Sequence, residues 1–152
     1  MSSDELRSLA SRFGTTVVKG LHTSVISVPR EKAKEACAAV SSLPGLYHLS
    51  TITAVDTGDR VELLYHFWKE KAFVEVKTDL PKDDLTIESL SELVSSATLY
   101  EAEIRDLFGV TFTGNPYKGR RLLLADDYPK DAPPPMRVEA DPEKIRKLMG
   151  LE

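Results

Sequence analysis

The 152-residue chain predicts an α+β, two-layer domain, with helices packed on one face of a mixed, mainly antiparallel sheet and an extended C-terminal arm following it. Three observations carry this expectation. Residues 47–78 fall into three β-rich, alternating runs separated by tight polar turns, and helix-period stretches occur in separate blocks on either side of them. From Val110 onward, Pro116, Gly119, Pro129 and the triplet Pro133-Pro134-Pro135 prevent a continuous helix or central strand. The expected organisation is residues 1–109 as the α+β domain and 110–152 as a proline-rich arm with a short terminal helix, all within one structural unit.

The elements follow in order. Leu6, Leu9, Ala10 and Phe13 recur at helical spacing after Ser3, which predicts an amphipathic helix over 4–13 that Gly14 stops. Thr15–Val18 and Thr23–Val28 are β-branched runs around a turn. Pro29 then opens a helix over Arg30–Ser42, closed by Pro44-Gly45. Tyr47–Val55, Arg60–Trp68 and Lys71–Thr78 read as a meander. In its second strand Val61, Leu63, Tyr65 and Phe67 form the expected core face, opposite Glu62, Leu64, His66 and Trp68. Ile87, Leu90, Leu93 and Val94 repeat at helical spacing, and a second short helix is expected from Thr98. There Thr98 and Glu101 have the T-x-x-E spacing of a capping box, and Gly109 offers a left-handed stop. Asp141 before Pro142 opens a terminal helix through about Met149.

Composition narrows the function classes. The hydrophobic fraction of 41% and charged fraction of 29% suit a globular domain, and no apolar run approaches the roughly 20 residues of a membrane helix. The N-terminus lacks the basic and apolar regions of a secretory signal, so cytoplasmic residence is expected. A net charge of -4 with interspersed signs argues against a nucleic-acid surface. Cys37 is the single cysteine, which excludes an internal disulfide, cannot hold an iron–sulfur cluster and reads as a small buried hydrophobe. His22, His48 and His66 sit in or beside different expected strands without metal-ligand spacing, and neither a dinucleotide nor an NTP fingerprint occurs.

The acids Glu101, Glu103 and Asp106 are the remaining candidates for chemistry. At about 100° per residue, Glu103 and Asp106 share a helix face, while Glu101 lies nearly opposite Glu103 and can pair with Arg105. Residues alone leave three readings open. The acids form a solvated face, or they take Arg120, Arg121 or a partner's arginine and fix how the arm and a neighbour dock, or Glu103 and Asp106 serve a small free-standing hydrolase or lyase as a carboxylate pair. The last requires a pocket and a raised carboxyl pKa.

The stretch Ala97-Thr98-Leu99-Tyr100-Glu101-Ala102-Glu103-Ile104-Arg105-Asp106-Leu107-Phe108-Gly109-Val110 resembles the signature A-x-W-x-E-R-E-x-x-D-[LM]-F-G-[IV] of the respiratory complex I 30-kDa subunit family. Downstream, Phe112, Asn115-Pro116, Arg120-Arg121-Leu122-Leu123-Leu124, Asp126-Asp127-Tyr128 and Pro135-Met136-Arg137 are similar to its later motifs. Upstream, Thr53-Ala54-Val55-Asp56 and Leu64-Tyr65-His66 are similar to its strand motifs. The likeness covers about residues 47–137. Leu99, Ala102 and Asn115 depart from the usual tryptophan, arginine and histidine.

The resemblance implies a non-catalytic, cofactor-free structural subunit in the peripheral arm of a complex I-like energy-converting oxidoreductase. Iron–sulfur clusters, and nickel–iron, flavin or quinone groups according to the complex, would belong to partner subunits. It further implies packing against the large hydrogenase-like, 49-kDa-type subunit and iron–sulfur subunits at the cytoplasmic face of the cell membrane, with membrane contact only through partners. Membrane-bound hydrogenases and deazaflavin dehydrogenases are the alternatives to an NADH–quinone oxidoreductase. The expected subunit-interface residues are Glu103, Asp106, Phe108, Gly109, Asn115, Pro116, Arg120, Arg121, Asp126 and Tyr128.

Overall fold

A computed structural model describes residues 8–9, 11–13, 17–19, 23–43, 48–69, 72–119 and 121–151. Of the expected N-terminal helix, residues 8–9 and 11–13 are helical, and Leu9 and Phe13 are buried. Residues 4–7 and 10 of that helix, the breaker at 44–45, His22 and Arg120 lie outside the described residues.

The centre of the molecule is a five-stranded mixed sheet in the order β1-β2-β5-β4-β3. Its strands are β1 (Val17–Lys19), β2 (Thr23–Ser27), β3 (His48–Asp56), β4 (Arg60–Lys69) and β5 (Ala72–Pro81). Every pairing is antiparallel except β2 with β5. Period-two alternation does what it predicts: Val61, Leu63, Tyr65 and Phe67 of β4 are wholly buried, opposite Leu80, Thr78, Val76 and Val74 of β5. On β3 the buried residues are Leu49 and Ile52, three apart rather than two. A register shift between Leu49 and Thr51 inserts the extra residue, so both still face inward, opposite Phe67 and Tyr65. The other face carries polar pairs, including Lys77 to Glu62 at 2.8 Å and His66 between Thr53 and Glu75.

Helices cover one face, as the blocks of helical periodicity predict. After a 3-10 turn (Arg30–Lys32), helix α1 (Ala33–Ser41) buries Ala33, Ala36, Cys37 and Val40, the i, i+3, i+4, i+7 stripe, against β4 and β5. Cys37 is 1% exposed and burial pushes its thiol pKa up. Helix α2 (Ala97–Phe108) packs across β3. The helix expected over 87–94 does not form. Thr86–Glu88 is instead a strand, β6, paired in parallel with Thr111–Thr113, β7, so that Ile87 lies opposite Phe112. The chain after it turns through Leu93 and Val94 N–H bonds to the Leu90 carbonyl. Leu93 is left 45% exposed, so three-residue spacing here reflected one strand and one turn rather than a helix. The arm therefore begins with a strand, and it ends in α3 (Pro142–Leu148), capped by Asp141 Oδ1 accepting from the Glu143 N–H.

Candidate functional site

The segment that carries the family-like signature is α2 with the arm laid along its end. The helix stops at Gly109, whose φ of 75° lies in the left-handed region and whose N–H donates to the Arg105 carbonyl. A Cβ there would stand 3.0 Å from Pro134 Cγ, so glycine serves both the turn and the close passage of the arm. At the other end the expected capping box is absent. Ser96 occupies the N-cap position without a side-chain bond, and Thr98 is already the second helical residue. The preceding turn supplies carbonyls of Val94 and Ser95 to the Ala97 and Thr98 N–H groups, so the Thr98 N–H that Glu101 would satisfy in a capping box is already bonded.

The three acids separate by environment. Glu101 is wholly buried, and its carboxylate accepts from Ser89 Oγ at 2.6 Å, Leu90 N at 2.7 Å and Asn115 Nδ2 at 2.7 Å. It does not pair with Arg105, the partner expected from i+4 spacing. Burial pushes its pKa up, outweighing the Ser89, Leu90 N–H and Asn115 bonds and the charge of Lys34, which all favour the carboxylate. Asp106 is 6% exposed and fully occupied: Oδ1 accepts from Arg105 Nε and Nη2, and Oδ2 accepts from the Leu122 and Leu123 N–H groups. Burial opposes its charge, yet the Leu123 N–H, Arg105 and the Leu122 N–H outweigh it and hold the pKa below the usual aspartate range. Glu103 is exposed. The two acids proposed as a hydrolytic pair thus stand apart, one in solvent and one consumed by the arm, and the pKa of Asp106 is held down where a general acid needs it raised.

A second clasp, not foreseen from the sequence, lies at the β3–β4 turn. The Asp56 side chain is 1% exposed; its Oδ2 accepts from Lys82 Nζ at 2.6 Å, Arg137 Nε at 2.8 Å and Val138 N at 3.0 Å, and its Oδ1 from Gly58 N at 2.9 Å. Arg137 also donates to the Phe108 carbonyl, and Met136 N–H donates to the Leu107 carbonyl. Asp56 and Arg137 both stood in motifs of the sequence, but a contact across 81 positions has no local signal.

The expected interface residues divide accordingly. Phe108 and Tyr128 are buried within the chain, with Tyr128 Oη donating to the Pro133 carbonyl at 2.6 Å. Asn115 bridges inward, donating to Glu101 and to the Thr98 carbonyl while its Oδ1 accepts from Tyr117 N–H. Arg121 reaches the Ala125 and Tyr128 carbonyls rather than Asp106. Gly109, Pro116 and Asp126 are exposed. Among the described residues no three His, Cys, Asp or Glu side chains gather as a metal site, and no helix is long and apolar enough to cross a membrane.

Comparison with known proteins bears on this arrangement. Residues 26–145 match the family described as respiratory-chain NADH dehydrogenase, 30 Kd subunit. The chain is 32% identical over 104 residues to the C subunit of the F(420)H(2) dehydrogenase of Methanosarcina mazei, a match covering 66% of this chain and 65% of that protein. It is 30% identical to the C subunit of the NADH-quinone oxidoreductase of Moorella thermoacetica, covering 74% of this chain and 78% of the relative. The beta subunit of the membrane-bound hydrogenase of Pyrococcus furiosus is also 30% identical, covering 82% and 75%. In Pseudomonas aeruginosa, 90% of the chain matches 26% of a fused C/D subunit of NADH-quinone oxidoreductase. Among solved structures, a chain of the membrane-bound sulfane sulfur reductase, an archaeal respiratory membrane complex, superposes with a TM-score of 0.81 at 23% identity, covering 95% of this chain and 88% of that one. A trypsin-resistant fragment of Nqo5 superposes at 0.65 with 26% identity, covering 76% and 98%. With the match running from residue 26 to 145, through both clasps and the helix between them, the chain belongs to the respiratory-chain NADH dehydrogenase 30-kDa subunit family.

Proposed function

We propose that this chain is a cofactor-free scaffold subunit in the peripheral arm of a complex I-like or hydrogenase-like energy-converting oxidoreductase, held at the cytoplasmic face of the membrane by its partners. One observation carries the reading: the relatives are named as subunits of an F(420)H(2) dehydrogenase, an NADH-quinone oxidoreductase and a membrane-bound hydrogenase, whose named substrates differ. A chain common to all three is not the part that handles any one donor. The clusters and donor sites then belong to other subunits. The fused C/D relatives support the large 49-kDa-type subunit as the nearest partner, since fusion keeps two chains at one address. Leu99, Leu123, Met136 and Val138, each more than half exposed on α2 and the arm, are apolar surface suited to burial against that subunit and the iron–sulfur subunits. The test is purification of the tagged chain from detergent-solubilised native membranes, followed by identification of its companions. Redox subunits of one complex in fixed ratio are expected. A chain that elutes alone, or that catalyses a redox or hydrolytic reaction by itself, overturns the proposal.

A further inference from the structure

Between the end of α2 and the arm lies an open cavity of about 390 Å³ whose walls include Arg105, Asp106, Arg121, Tyr128, Lys130 and Pro134. Among the described residues three cations and one carboxylate face it, and the carboxylate is spent. Asp106 already accepts from Arg105 and from the Leu122 and Leu123 N–H groups. Arg121 is different: its bonds run from Nη1 to the Ala125 and Tyr128 carbonyls, and its guanidinium lies 5.5 Å from the Tyr128 ring centroid. Neutral carbonyls and an aromatic face orient this charge without cancelling it, and no carboxylate among the described residues reaches it. Lys130 is exposed on the same cavity wall. The sequence suggested acids waiting for a partner's arginine, whereas the charge left over at this site is positive.

We infer that this cavity seats a carboxylate side chain, an aspartate or glutamate on a neighbouring subunit, which Arg121 grips with its remaining guanidinium N–H groups and Lys130 closes over. The inference rests on the scaffold reading above. A polypeptide, rather than a free anion, is the occupant because Leu124, Pro129, Ala132 and Pro134 give the cavity apolar walls, and Leu123 and Met136, one and two positions along the chain from lining residues, are exposed apolar surface. Leu123 is tied to Asp106 by its N–H and Met136 to the Leu107 carbonyl by its own, yet both side chains are more than half exposed. A free anion would leave them in water, while a protein face inserting an acid would cover them.

The test uses the intact complex from native membranes. A carbodiimide converts a carboxyl group into an O-acylisourea, and a lysine amine in contact attacks its acyl carbon, forming an amide and releasing a urea. Mass spectrometry is expected to find Lys130 joined to an Asp or Glu of another subunit, and Lys130→Arg to abolish that peptide. Lys130→Glu, at an exposed position outside both clasps, is expected to weaken retention of the subunit at moderate salt by roughly tenfold or more, with recovery when the cross-linked acid is changed to lysine. Lys130 joined only to this chain's own acids, or acetylated as readily in the complex as in the isolated chain, overturns the inference. So does equal protection of Lys130 in the isolated chain by inorganic phosphate, which would reassign the cavity to a free anion. If the chain has no companion subunits at all, the scaffold reading falls with it; companions present with Lys130 uncoupled sink this inference alone.

Discussion

Replacing Asp56 by asparagine tests whether the arm is held by the clasp at the β3–β4 turn. The substitution keeps the shape and the Oδ1 acceptor for Gly58 N–H, but it sets an NH2 group where Oδ2 receives Lys82, Arg137 and Val138. Breaking one side of a buried ion pair costs about 3–5 kcal/mol. Here Arg137 retains Glu139 at 2.8 Å and the Phe108 carbonyl at 3.2 Å, and Lys82 retains Glu139 at 3.1 Å. The expected loss is therefore about 2–4 kcal/mol. Urea unfolding of the isolated chain measures the global part. Hydrogen exchange of the Met136 and Val138 amides measures the local release, which should exceed that of the central β4 and β5 amides. The pH dependence has a definite sign. Burial works against the Asp56 charge, but Lys82, the Gly58 and Val138 N–H groups and Arg137 overcome it and hold the folded pKa well below the ordinary aspartate value. The unfolded chain then binds the proton first, so this stabilisation is whole above about pH 5 and is lost as pH falls toward the folded pKa. Asp56→Asn should flatten that acid limb. A stability change below about 0.5 kcal/mol, with unchanged exchange at Val138, would refute the clasp as what anchors the arm.

Glu101 should give the opposite slope. Its folded pKa is raised, so its contribution is present below the ordinary glutamate pKa and fades as pH rises through the folded value; Glu101→Gln should remove that decline in unfolding experiments run across pH. Gly109→Ala forces an L-residue to φ 75° and brings a methyl to 3.0 Å from Pro134 Cγ, at a cost of about 1–2 kcal/mol by thermal or urea unfolding. Tyr65 is wholly buried and its hydroxyl finds no hydrogen-bond partner among the described residues, so Tyr65→Phe should raise the melting temperature through a gain of up to about 1 kcal/mol; a loss would show that the hydroxyl is satisfied.

What could be read from the sequence follows from the range of each signal. The β4 core face, the helix after Pro29, the Gly109 stop and the Asp141-Pro142 start depend on residues within one or two turns of each other, and each appears where local periodicity or capping chemistry puts it. The parallel pairing of β2 with β5 depends on chain segments some fifty residues apart, and nothing in either strand announces it. Local patterns also misled in two places. Ile87, Leu90 and Val94 fit a helix until β7 offers Thr86–Glu88 a ladder, which is tertiary pairing overriding spacing. Thr98 and Glu101 have capping-box spacing, but Glu101 finds Ser89, the Leu90 N–H and Asn115 inside the fold, where a buried carboxylate must be satisfied. The site residues were visible as a motif, yet whether each acid pointed to solvent, to the arm or into the core could be settled only by the surroundings the fold builds around them.

Those surroundings separate folding from recognition in the arm. Asp106 grips Leu122 and Leu123 by their N–H groups, Asp56 grips Val138 in the same way, and Met136 hangs from the Leu107 carbonyl. At each of these positions it is main chain that is held. The side chains of Leu123, Met136 and Val138 are left exposed, and the anchors place no chemical demand on them. A bond to backbone N–H is indifferent to the residue that bears it, so the outward side chains can change without loosening the arm, as the proposed docking against a neighbouring subunit requires. Arg137 and Asn115 are held differently, through their side chains: the Arg137 side chain, 9% exposed, enters the Asp56 clasp, and Asn115 Nδ2 donates to Glu101. Such a division suits a fold shared, at about 30% identity, with relatives named as subunits of dehydrogenases and of a hydrogenase: in this chain the acids and Arg137 hold the arm, and the outward side chains of Leu123, Met136 and Val138 take no part in that hold.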